Sequence, residues 1–390
     1  MGGVSMEWKE VTLGEITNLV IDYRGKTPLK LGSSWSDSGY RALSAKNIKT
    51  GQIVAEDSIR FVDEELYKKW MKDEVERGDI LITSEAPFGQ IYYWDSDEKI
   101  VLSQRLFDVR LNNEVCHKYV YYFMTSHRYQ KDLEGRATGT TVTGLRQPEL
   151  LKSTILLPTL EAQRSIASIL SSLDRKIELN NKINADLEEM AQAIFKNWFV
   201  DFEPFKDGKF VDSELGMIPE GWKVGCLGDL ITIKYGKDHK KLEDGTFPVY
   251  GSGGFMRFVN SWLYDGESVL IPRKGTLDNI MYVCEKFWTV DTMFFSVPKM
   301  DYVMKYVYNY IKRFDFSKMN EGTSVPSNTA ARLNKMPILI PTHEILEMYD
   351  ETLCPIYNKR KMKDKESRIL SLLRDTLLPR LMSGELEVPE

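Results

Sequence analysis

Two kinds of polar stretch in this sequence could contact nucleic acid, and each kind occurs twice. Residues 138–146 (Thr-Gly-Thr-Thr-Val-Thr-Gly-Leu-Arg) and 322–328 (Gly-Thr-Ser-Val-Pro-Ser-Asn) offer short hydroxyls and backbone N–H groups, which suit phosphate contacts. Residues 103–105 (Ser-Gln-Arg) and 272–276 (Pro-Arg-Lys-Gly-Thr) add donors able to read guanine or adenine edges in a major groove. Each stretch alone is equally typical of a solvated turn, but their recurrence favours DNA contact. The candidate DNA-binding residues are Lys46, Asn47, Gln104, Arg105, Thr140, Thr141, Arg146, Ser252, Arg273, Lys274, Thr323 and Ser324.

Motifs for catalysis or metal binding are weak. Residues 251–254 (Gly-Ser-Gly-Gly) resemble a phosphate-binding loop only superficially, because Lys-Ser/Thr does not follow them. We find no Gly-x-Ser-x-Gly nucleophile elbow and no motif like the Asp-Pro-Pro-Tyr of adenine methyltransferases. The 4 cysteines and 4 histidines are scattered without metal-ligand spacing. The sequence therefore predicts no catalytic residue, metal site or cofactor, although carboxylates brought together only by folding remain an alternative.

Composition limits the class of protein. The 390 residues suggest two or three domains, and the net charge of −5 excludes a uniformly basic nucleic-acid coat. Basic residues are nevertheless concentrated in residues 359–380, which could follow a DNA backbone or form the solvated face of a coiled coil. No apolar run approaches the roughly 18 residues of a membrane span, and the first residues lack the order of a secretory signal. We expect a cytoplasmic protein with no membrane partner.

A duplicated unit organises the chain. Trp8-Lys9 recurs 214 residues later as Trp222-Lys223, and in each copy a Leu-Gly-acid-apolar motif follows in the same register. Ile-Leu-Leu-Pro-Thr at 155–159 recurs as Ile-Leu-Ile-Pro-Thr at 338–342, an offset of only 183. The first copy is therefore longer by about 31 residues. Because the repeated motifs match while the residues between them differ, we predict two modules that have the same function on different targets. Sequence drift under relaxed constraint is the alternative explanation of the differences.

Each copy begins with short apolar runs separated by turn signals and ends with a long stretch in which apolar residues recur at helical spacing, here called a stripe. The stripes follow Pro158 and Pro341, are each about 40 residues or roughly 60 Å long, and have the spacing of a coiled-coil seam. Packing inside one compact domain is the alternative. Pro355 predicts a bend or a late start of the second helix. The predicted interface residues are Ile166, Leu170, Leu173, Ile177, Leu187, Ile194, Trp198, Leu353, Ile356, Leu370, Leu377 and Leu381.

These patterns predict an α+β protein in which two β-rich modules are separated by two long α-helices that pair with each other in a pseudo-twofold repeat. The expected boundaries are a first module at 1–157, a first long helix at 158–203, a linker at 204–221, a second module at 222–340, a second long helix at 341–383 and a tail at 384–390.

The order of module and helix, together with two motifs, resembles the DNA specificity subunits of type I restriction-modification systems. The motifs are residues 195–202 (Phe-Lys-Asn-Trp-Phe-Val-Asp-Phe) and residues 215–222 (Leu-Gly-Met-Ile-Pro-Glu-Gly-Trp), and the resemblance covers essentially the whole chain. It implies two target-recognition domains that each read one half of a bipartite, asymmetric DNA site. It also implies that the helices pair antiparallel as a coiled coil, set the spacer and dock two methyltransferase subunits.

The resemblance further implies that the subunit performs no chemistry itself. S-adenosylmethionine belongs to the methylating partner, and ATP belongs to the restriction partner that translocates and cuts. The expected partners are double-stranded DNA, two methyltransferase subunits and, through the complex, restriction subunits; a homodimer of the isolated chain is a further possibility. Two other functions stay open: a catalytic DNA methylase or nuclease, and a coiled-coil interaction scaffold without DNA contact.

Overall fold

The computed structural model describes residues 8–138, 144–316, 318 and 327–388. The chain divides into two compact units, the first formed by Met1–Leu179 with Glu366–Glu390 and the second by Asn180–Lys365. Each unit contains one β-rich region together with part of each long helix. The two β-rich regions and the two long helices were predicted, and both predictions are confirmed.

The elements up to the end of the first long helix are mostly short strands. The strands are β1 (Lys9–Thr12), β2 (Thr17–Asp22), β3 (Tyr40–Leu43), β4 (Ile48–Lys49), β5 (Gln52–Ile53), β6 (Arg60–Val62), β7 (Ile80–Thr83), β8 (Ile91–Tyr93), β9 (Ile100–Leu102), β10 (Leu106–Leu111) and β11 (Thr154–Leu157). The helices are α1 (Glu64–Trp70), α2 (His117–Thr125), α3 (His127–Arg136), α4 (Gln147–Leu151) and the 40-residue α5 (Leu160–Phe199).

The remaining elements again run from strands through short helices and a single strand to a long helix. The strands are β12 (Phe210–Val211), β13 (Ile218–Pro219), β14 (Lys223–Cys226), β15 (Ile231–Tyr235), β16 (Phe247–Gly251), β17 (Gly254–Val259), β18 (Tyr264–Pro272), β19 (Met281–Thr289), β20 (Met293–Pro298) and β21 (Pro337–Ile340). The helices are α6 (Leu227–Leu230), α7 (Met304–Ile311), α8 (Ala330–Asn334) and the 40-residue α9 (His343–Met382).

In the first unit, a sheet of order β2-β10-β7-β8 separates two hydrophobic cores. Successive side chains of a strand point to opposite faces of the sheet. Accordingly, Ile80 and Ile82 of β7 lie in one core, while Leu81 lies in the other. A second sheet of order β6-β3-β9 contains the parallel pair β3 and β9. Its strands border the core that contains Leu81.

The second unit uses the same principle in a larger sheet of order β15-β20-β18-β19-β16-β17. Val269 and Ile271 of β18 lie in the core that also receives α7 and the long helices. Leu270, between them, points into a second core with Phe287 and Phe295. A strand buried on both faces explains the continuous apolar run of β18.

The predicted duplication is confirmed at the level of individual hydrogen bonds. β1 pairs antiparallel with β11, and β14 pairs with β21 in the same register. The Tyr119 hydroxyl donates to the carbonyl of Leu156 on β11, and the Tyr306 hydroxyl donates to the carbonyl of Leu339 on β21, both at 2.6 Å. The sequence repeat is therefore a repeat of strand register and of side-chain contacts.

The long helices lie antiparallel, as predicted. In the first unit, Asp174 of α5 pairs with Arg374 of α9, with an O–N distance of 2.8 Å. In the second unit, the Asn184 amide donates to Asp364 at 2.6 Å. Ten residues forward along α5 therefore correspond to ten residues back along α9, which is the pattern of an antiparallel pair.

Helix α9 begins at His343, twelve residues before Pro355, so the alternative of a late start is wrong. Proline removes one backbone hydrogen bond from a helix interior. Here the buried side chains of Leu353, Ile356 and Tyr357 anchor the helix on both sides of the proline. Their burial offsets the missing bond.

The predicted interface residues lie in three environments. In the first unit, Ile166, Leu170 and Leu381 are core residues, and Leu377 packs against this core. In the second unit, Leu353 and Ile356 are core residues. The residues that pack against this second core are Leu187, Ile194 and Trp198. Leu173, Ile177 and Leu370 are half-buried and lie outside these cores. The long helices also bury side chains that were not predicted, namely Phe195, Phe199 and Leu346. These belong to faces packed on the β-rich region, which a two-helix stripe does not include.

Candidate DNA interface

In the first unit, parallel pairing brings two candidate stretches together. β3 and β9 are parallel neighbours, so the segments that follow them leave the sheet at the same edge. The turn after β3 carries Lys46, and the turn after β9 carries Gln104 and Arg105. The Ala45 N–H donates to the Gln104 carbonyl at 3.1 Å, which joins the two turns.

These turns line an open pocket of ≈ 310 Å³. Its lining residues include the predicted Lys46, Asn47, Gln104 and Arg105. The wall is completed by residues that we did not predict, among them Trp35, Ala86 and Arg60. The pocket therefore brings together two pairs of adjacent candidates that lie more than 50 residues apart in sequence.

Arg105 is held in a defined position on the rim. Its backbone has a φ of 63°, a left-handed conformation that is uncommon for a non-glycine residue. Its carbonyl accepts the Ser84 N–H at 2.9 Å, and its Nε lies 2.9 Å from the Glu85 carboxylate. Since one edge of the guanidinium is fixed by Glu85, the side chain is oriented before any ligand arrives.

Unlike the other candidates at this pocket, Asn47 is buried. Its side chain is only 1% exposed. The amide group donates to the Ala55 carbonyl at 3.2 Å, and its oxygen accepts from the Ser44 N–H at 3.1 Å. Asn47 therefore stabilises the turn that carries Lys46, and a DNA contact by Asn47 stays a prediction that its burial disfavours.

Arg146 does not line this pocket. It precedes α4 and lines a second open pocket, together with Lys131 and Arg136 on α3. The adjacent Leu145 N–H donates to the Ser84 carbonyl at 2.9 Å, which connects this segment to the Arg105 loop. The candidates Thr140, Thr141, Thr323 and Ser324 lie outside the described residues.

In the second unit, Ser252, Arg273 and Lys274 come together. Ser252 occupies the turn between β16 and β17, and the other two follow β18. The Asn279 amide donates to the Ser252 carbonyl at 2.9 Å. A Cβ on Gly275 would lie only 2.5 Å from the Ser252 hydroxyl, so a glycine is required where these loops touch.

Arg273, like Arg105, is held by both backbone and side-chain contacts, but the contacting atoms differ. Its N–H donates to the Thr292 carbonyl at 2.8 Å, and its Nη1 donates to the Asp291 carbonyl at 3.2 Å. Its guanidinium lies 5.6 Å from the centre of the Tyr235 ring. Lys274 is exposed beside it.

The two units use one loop frame with different chemistry. In the first, the Ser84 N–H donates to the Arg105 carbonyl and the Ser84 carbonyl accepts from Leu145. In the second, the Arg273 N–H donates to the Thr292 carbonyl, and the Arg273 carbonyl accepts from Asn328. Arg273 therefore stands where Ser84 stands, and Thr292 stands where Arg105 stands. In the first unit the arginine therefore occupies the position equivalent to Thr292, whereas in the second unit it occupies the position equivalent to Ser84.

Sequence reasoning missed several residues of these surfaces. Trp35 and Arg60 carried no signal, because only the folded sheet brings them to the first pocket. Lys237 is exposed after β15, and its N–H donates to the Thr289 carbonyl at 2.9 Å, on the turn that also anchors Arg273. The basic run at 237–241 (Lys-Asp-His-Lys-Lys) could have identified Lys237.

A buried acid lies behind the first loop frame, on β10. Burial and the charge of Asp79 raise the pKa of the Asp108 carboxyl well above its ordinary value. Asp79 is itself paired with Arg110, with an O–N distance of 2.8 Å. The raised pKa favours the neutral form of the Asp108 carboxyl, which reduces its repulsion from the Asp79 carboxylate.

The described residues contain neither a metal-binding group of side chains nor a membrane-spanning helix. No three His, Cys, Asp or Glu side chains are grouped closely enough there to hold a metal ion. In the same part of the chain, no helix combines the length and apolar character that crossing a bilayer requires.

Two repeated β-rich units with unlike loops, joined by paired long helices, are matched by a known protein family. The sequence profile described as "Type I restriction modification DNA specificity domain" matches residues 6–189 and 219–363. The chain therefore belongs to this family.

Individual relatives agree. A type I restriction enzyme specificity subunit of Methanocaldococcus jannaschii, MjaIX, is 28% identical over 354 residues, which cover 80% of this chain and 79% of the relative. The HindI specificity subunit of Haemophilus influenzae is 22% identical over 404 residues, covering 81% and 88%. The crystal structure of a type I system S subunit from M. genitalium has the same fold, with a TM-score of 0.58, 18% identity, and coverage of 99% and 97%.

Proposed function

We propose that this chain is the non-catalytic DNA-recognition subunit of a type I restriction-modification complex, and that each unit reads one half of a bipartite, asymmetric site. Membership of the specificity family supports the general role. Catalysis, with S-adenosylmethionine or ATP, is assigned to the partner subunits.

The observation that carries this proposal is the shared loop frame with unlike side chains. Arg105 of the first unit is equivalent in this frame to Thr292, whereas Arg273 of the second unit is equivalent to Ser84. A common frame presents both units to the same kind of ligand. Different donors at different places on that frame read different base edges, which makes the half-sites unequal.

The helices are proposed to set the spacer between half-sites and to dock methyltransferase subunits. Docking is supported by large apolar side chains that remain exposed on α9, such as Met362 at 70% and Leu372 at 69%. Exposed apolar side chains of this kind are typical of surfaces that bind another protein. The corresponding exposed residues of α5 are Leu179 and Met190.

The test is to map methylated adenines in a random pool of duplexes after reaction with the assembled methyltransferase complex. Arg105→Ala is expected to relax one half of the consensus and Arg273→Ala the other half. Lys223→Ala, an exposed lysine of β14 away from the loops, serves as the control. Uniform loss of methylation across sequences assigns the arginines to phosphate contacts. A consensus that does not depend on this chain at all contradicts the proposed function.

A further inference from the structure

We propose that the pocket lined by Trp35, Lys46, Arg60 and Gln104 binds one nucleotide of the recognised half-site after that nucleotide has rotated out of the duplex. The inference rests on the proposed DNA-reading function and adds the form of its ligand. The base would enter the pocket, and its phosphate would stay at the cationic rim. This nucleotide is distinct from the adenine that the partner subunit methylates.

The shape of the site favours a single base over an intact groove. Side chains that read a duplex in place project into its major groove. Here the candidate Gln104 instead faces a concave pocket of ≈ 310 Å³. The small side chains of Ala42, Ala45 and Ala86 line it and leave room for a flat ring. Proteins that take a base out of the stack receive it in a pocket of this kind.

Two flat groups lie against each other at the pocket. The Arg60 guanidinium lies 5.2 Å from the centre of the Trp35 ring, and both residues line the pocket. Trp70 packs against Trp35 in a tilted arrangement, with ring centres 6.1 Å apart. Trp70 is itself fully buried and donates its Nε1–H to the Leu102 carbonyl at 3.1 Å, so the platform is rigid. Aromatic rings and guanidinium planes are the groups on which unpaired bases stack.

The charges and polar groups match a nucleotide as well. Lys46, Arg60 and Arg105 line the pocket, and no acidic side chain is among its described lining residues. The Gln104 amide offers both a donor and an acceptor to the edge of a base. Since Arg105 is already paired with Glu85, a phosphate at the rim would interact with Lys46 and Arg60.

The backbone is strained at this pocket. Ala86 and Arg105 both have positive φ values, 44° and 63°, and both line it. Such conformations are costly for residues with a Cβ and cluster at ligand-binding sites. They fix the loop tips in the position that leaves the pocket open.

The experiment measures binding of duplexes to the complex of this chain with its methyltransferase partners. Once the half-site of the first unit has been mapped, a mismatch is introduced at each of its positions in turn. Where a base is extruded, a mismatch removes part of the cost of unpairing and strengthens binding by about tenfold or more, whereas mismatches at other positions weaken it. The methylated adenine is scored separately, because the partner can extrude it on its own.

We expect one position, other than the methylated adenine, at which a mismatch strengthens binding. Trp35→Ala should abolish the gain, and Gln104→Ala, a change at an exposed residue that leaves folding intact, should reduce it. Trp262→Ala, at a tryptophan that is 44% exposed in the second unit, should leave the gain unchanged.

Two results overturn the inference: no position other than the methylated adenine gains from a mismatch, or the gain persists in both pocket variants. If Arg105→Ala still relaxes the half-site in that case, the bases are read in place, and the proposed function stands without the pocket. If Arg105→Ala leaves the half-site unchanged as well, the proposed reading role of this unit fails with it.

Discussion

Glu188 and Arg360 form an ion pair across the two long helices of the second unit, with Oε2 and Nη1 2.5 Å apart. The Tyr308 hydroxyl of α7 donates to the same carboxylate oxygen at 2.9 Å. One acid on α5 thereby connects a base on α9 to a tyrosine of the β-rich region.

The first unit repeats this network with different residues. Asp174 of α5 pairs with Arg374 of α9, and it also accepts the Tyr122 hydroxyl of α2 at 2.7 Å. In both units the acid lies on α5 and the base on α9. The networks tie the helix pair to each β-rich region, so rotation of a region about the helices would break them.

Breaking the second network should destabilise the second unit. In Arg360→Met, the Glu188 carboxylate keeps its partly buried position and loses its cation. We expect the free energy of unfolding to fall by about 1–3 kcal/mol, between the values for surface and fully buried pairs. Urea denaturation measures the change.

The double variant Glu188→Gln, Arg360→Met is the informative comparison. Since it removes both charges, it should recover part of the loss. Lys359→Ala, at the exposed neighbour of Arg360, should change the free energy of unfolding by less than about 0.5 kcal/mol. Equal losses in the single and double variants would show that packing, and not charge, holds this contact.

Asp108 should make stability depend on pH. Its pKa is raised in the folded chain, so the folded state binds more protons than the unfolded state above the ordinary pKa of about 4. Its contribution to stability is therefore complete below that pH and is lost as the pH rises toward the folded pKa. Asp108→Asn removes this dependence and should gain stability relative to wild type with rising pH, by at most about 1.4 kcal/mol per unit.

The measurement is the urea midpoint of both proteins between pH 4.5 and 7.5. Taking the difference at each pH cancels the other titrating groups, which the two proteins share. A difference that does not change with pH would mean that Asp108 is ionised in the folded chain.

Lys237 and Lys274 are expected to contact phosphate. Both are exposed beside the turn that anchors Arg273. Replacing either with alanine should weaken DNA binding equally for all sequences and reduce the slope of log K against log salt by about 0.9. Lys223→Ala is the matched control. A change of base preference in either variant would make that lysine a base reader.

The helix pair should act as a ruler if it sets the spacer. Deleting residues 177–183 of α5 and 365–371 of α9 removes one heptad from each and preserves the observed pairing of Asn184 with Asp364. The helices shorten by about 10.5 Å, which corresponds to roughly three base pairs. A methylation assay on sites of altered spacing should find a shorter optimum. An unchanged optimum would rule out the ruler.

Deleting the heptad from α5 alone is the control for this prediction. It shifts the register of the pair and separates Asp174 from Arg374 or Glu188 from Arg360. We expect loss of methylation at every spacing, because the two networks cannot form at the same time.

The sequence by itself determined the repeat, the β-rich texture and the two helices. Repeated motifs and side-chain periodicity are local properties that survive in a linear chain. The two offsets also relate one strand pairing to the other, because Lys9 opposite Leu157 corresponds to Lys223 opposite Ile340, but the pairing itself comes from the structure. The long helix through Pro355 was less predictable, since burial on both sides of the proline outweighs a local helix-breaking preference.

Only the tertiary structure decided which candidates meet. The parallel pairing of β3 with β9 joins Lys46 to Gln104, and the pairing of β6 with β3 brings Arg60 to the same pocket. Trp35 also lines this pocket, and no local pattern marked either residue. The tertiary structure also buried Asn47, whose amide is engaged by the backbone of its own turn. Proximity and burial depend on pairing between distant segments, whereas composition and spacing record only what lies nearby along the chain.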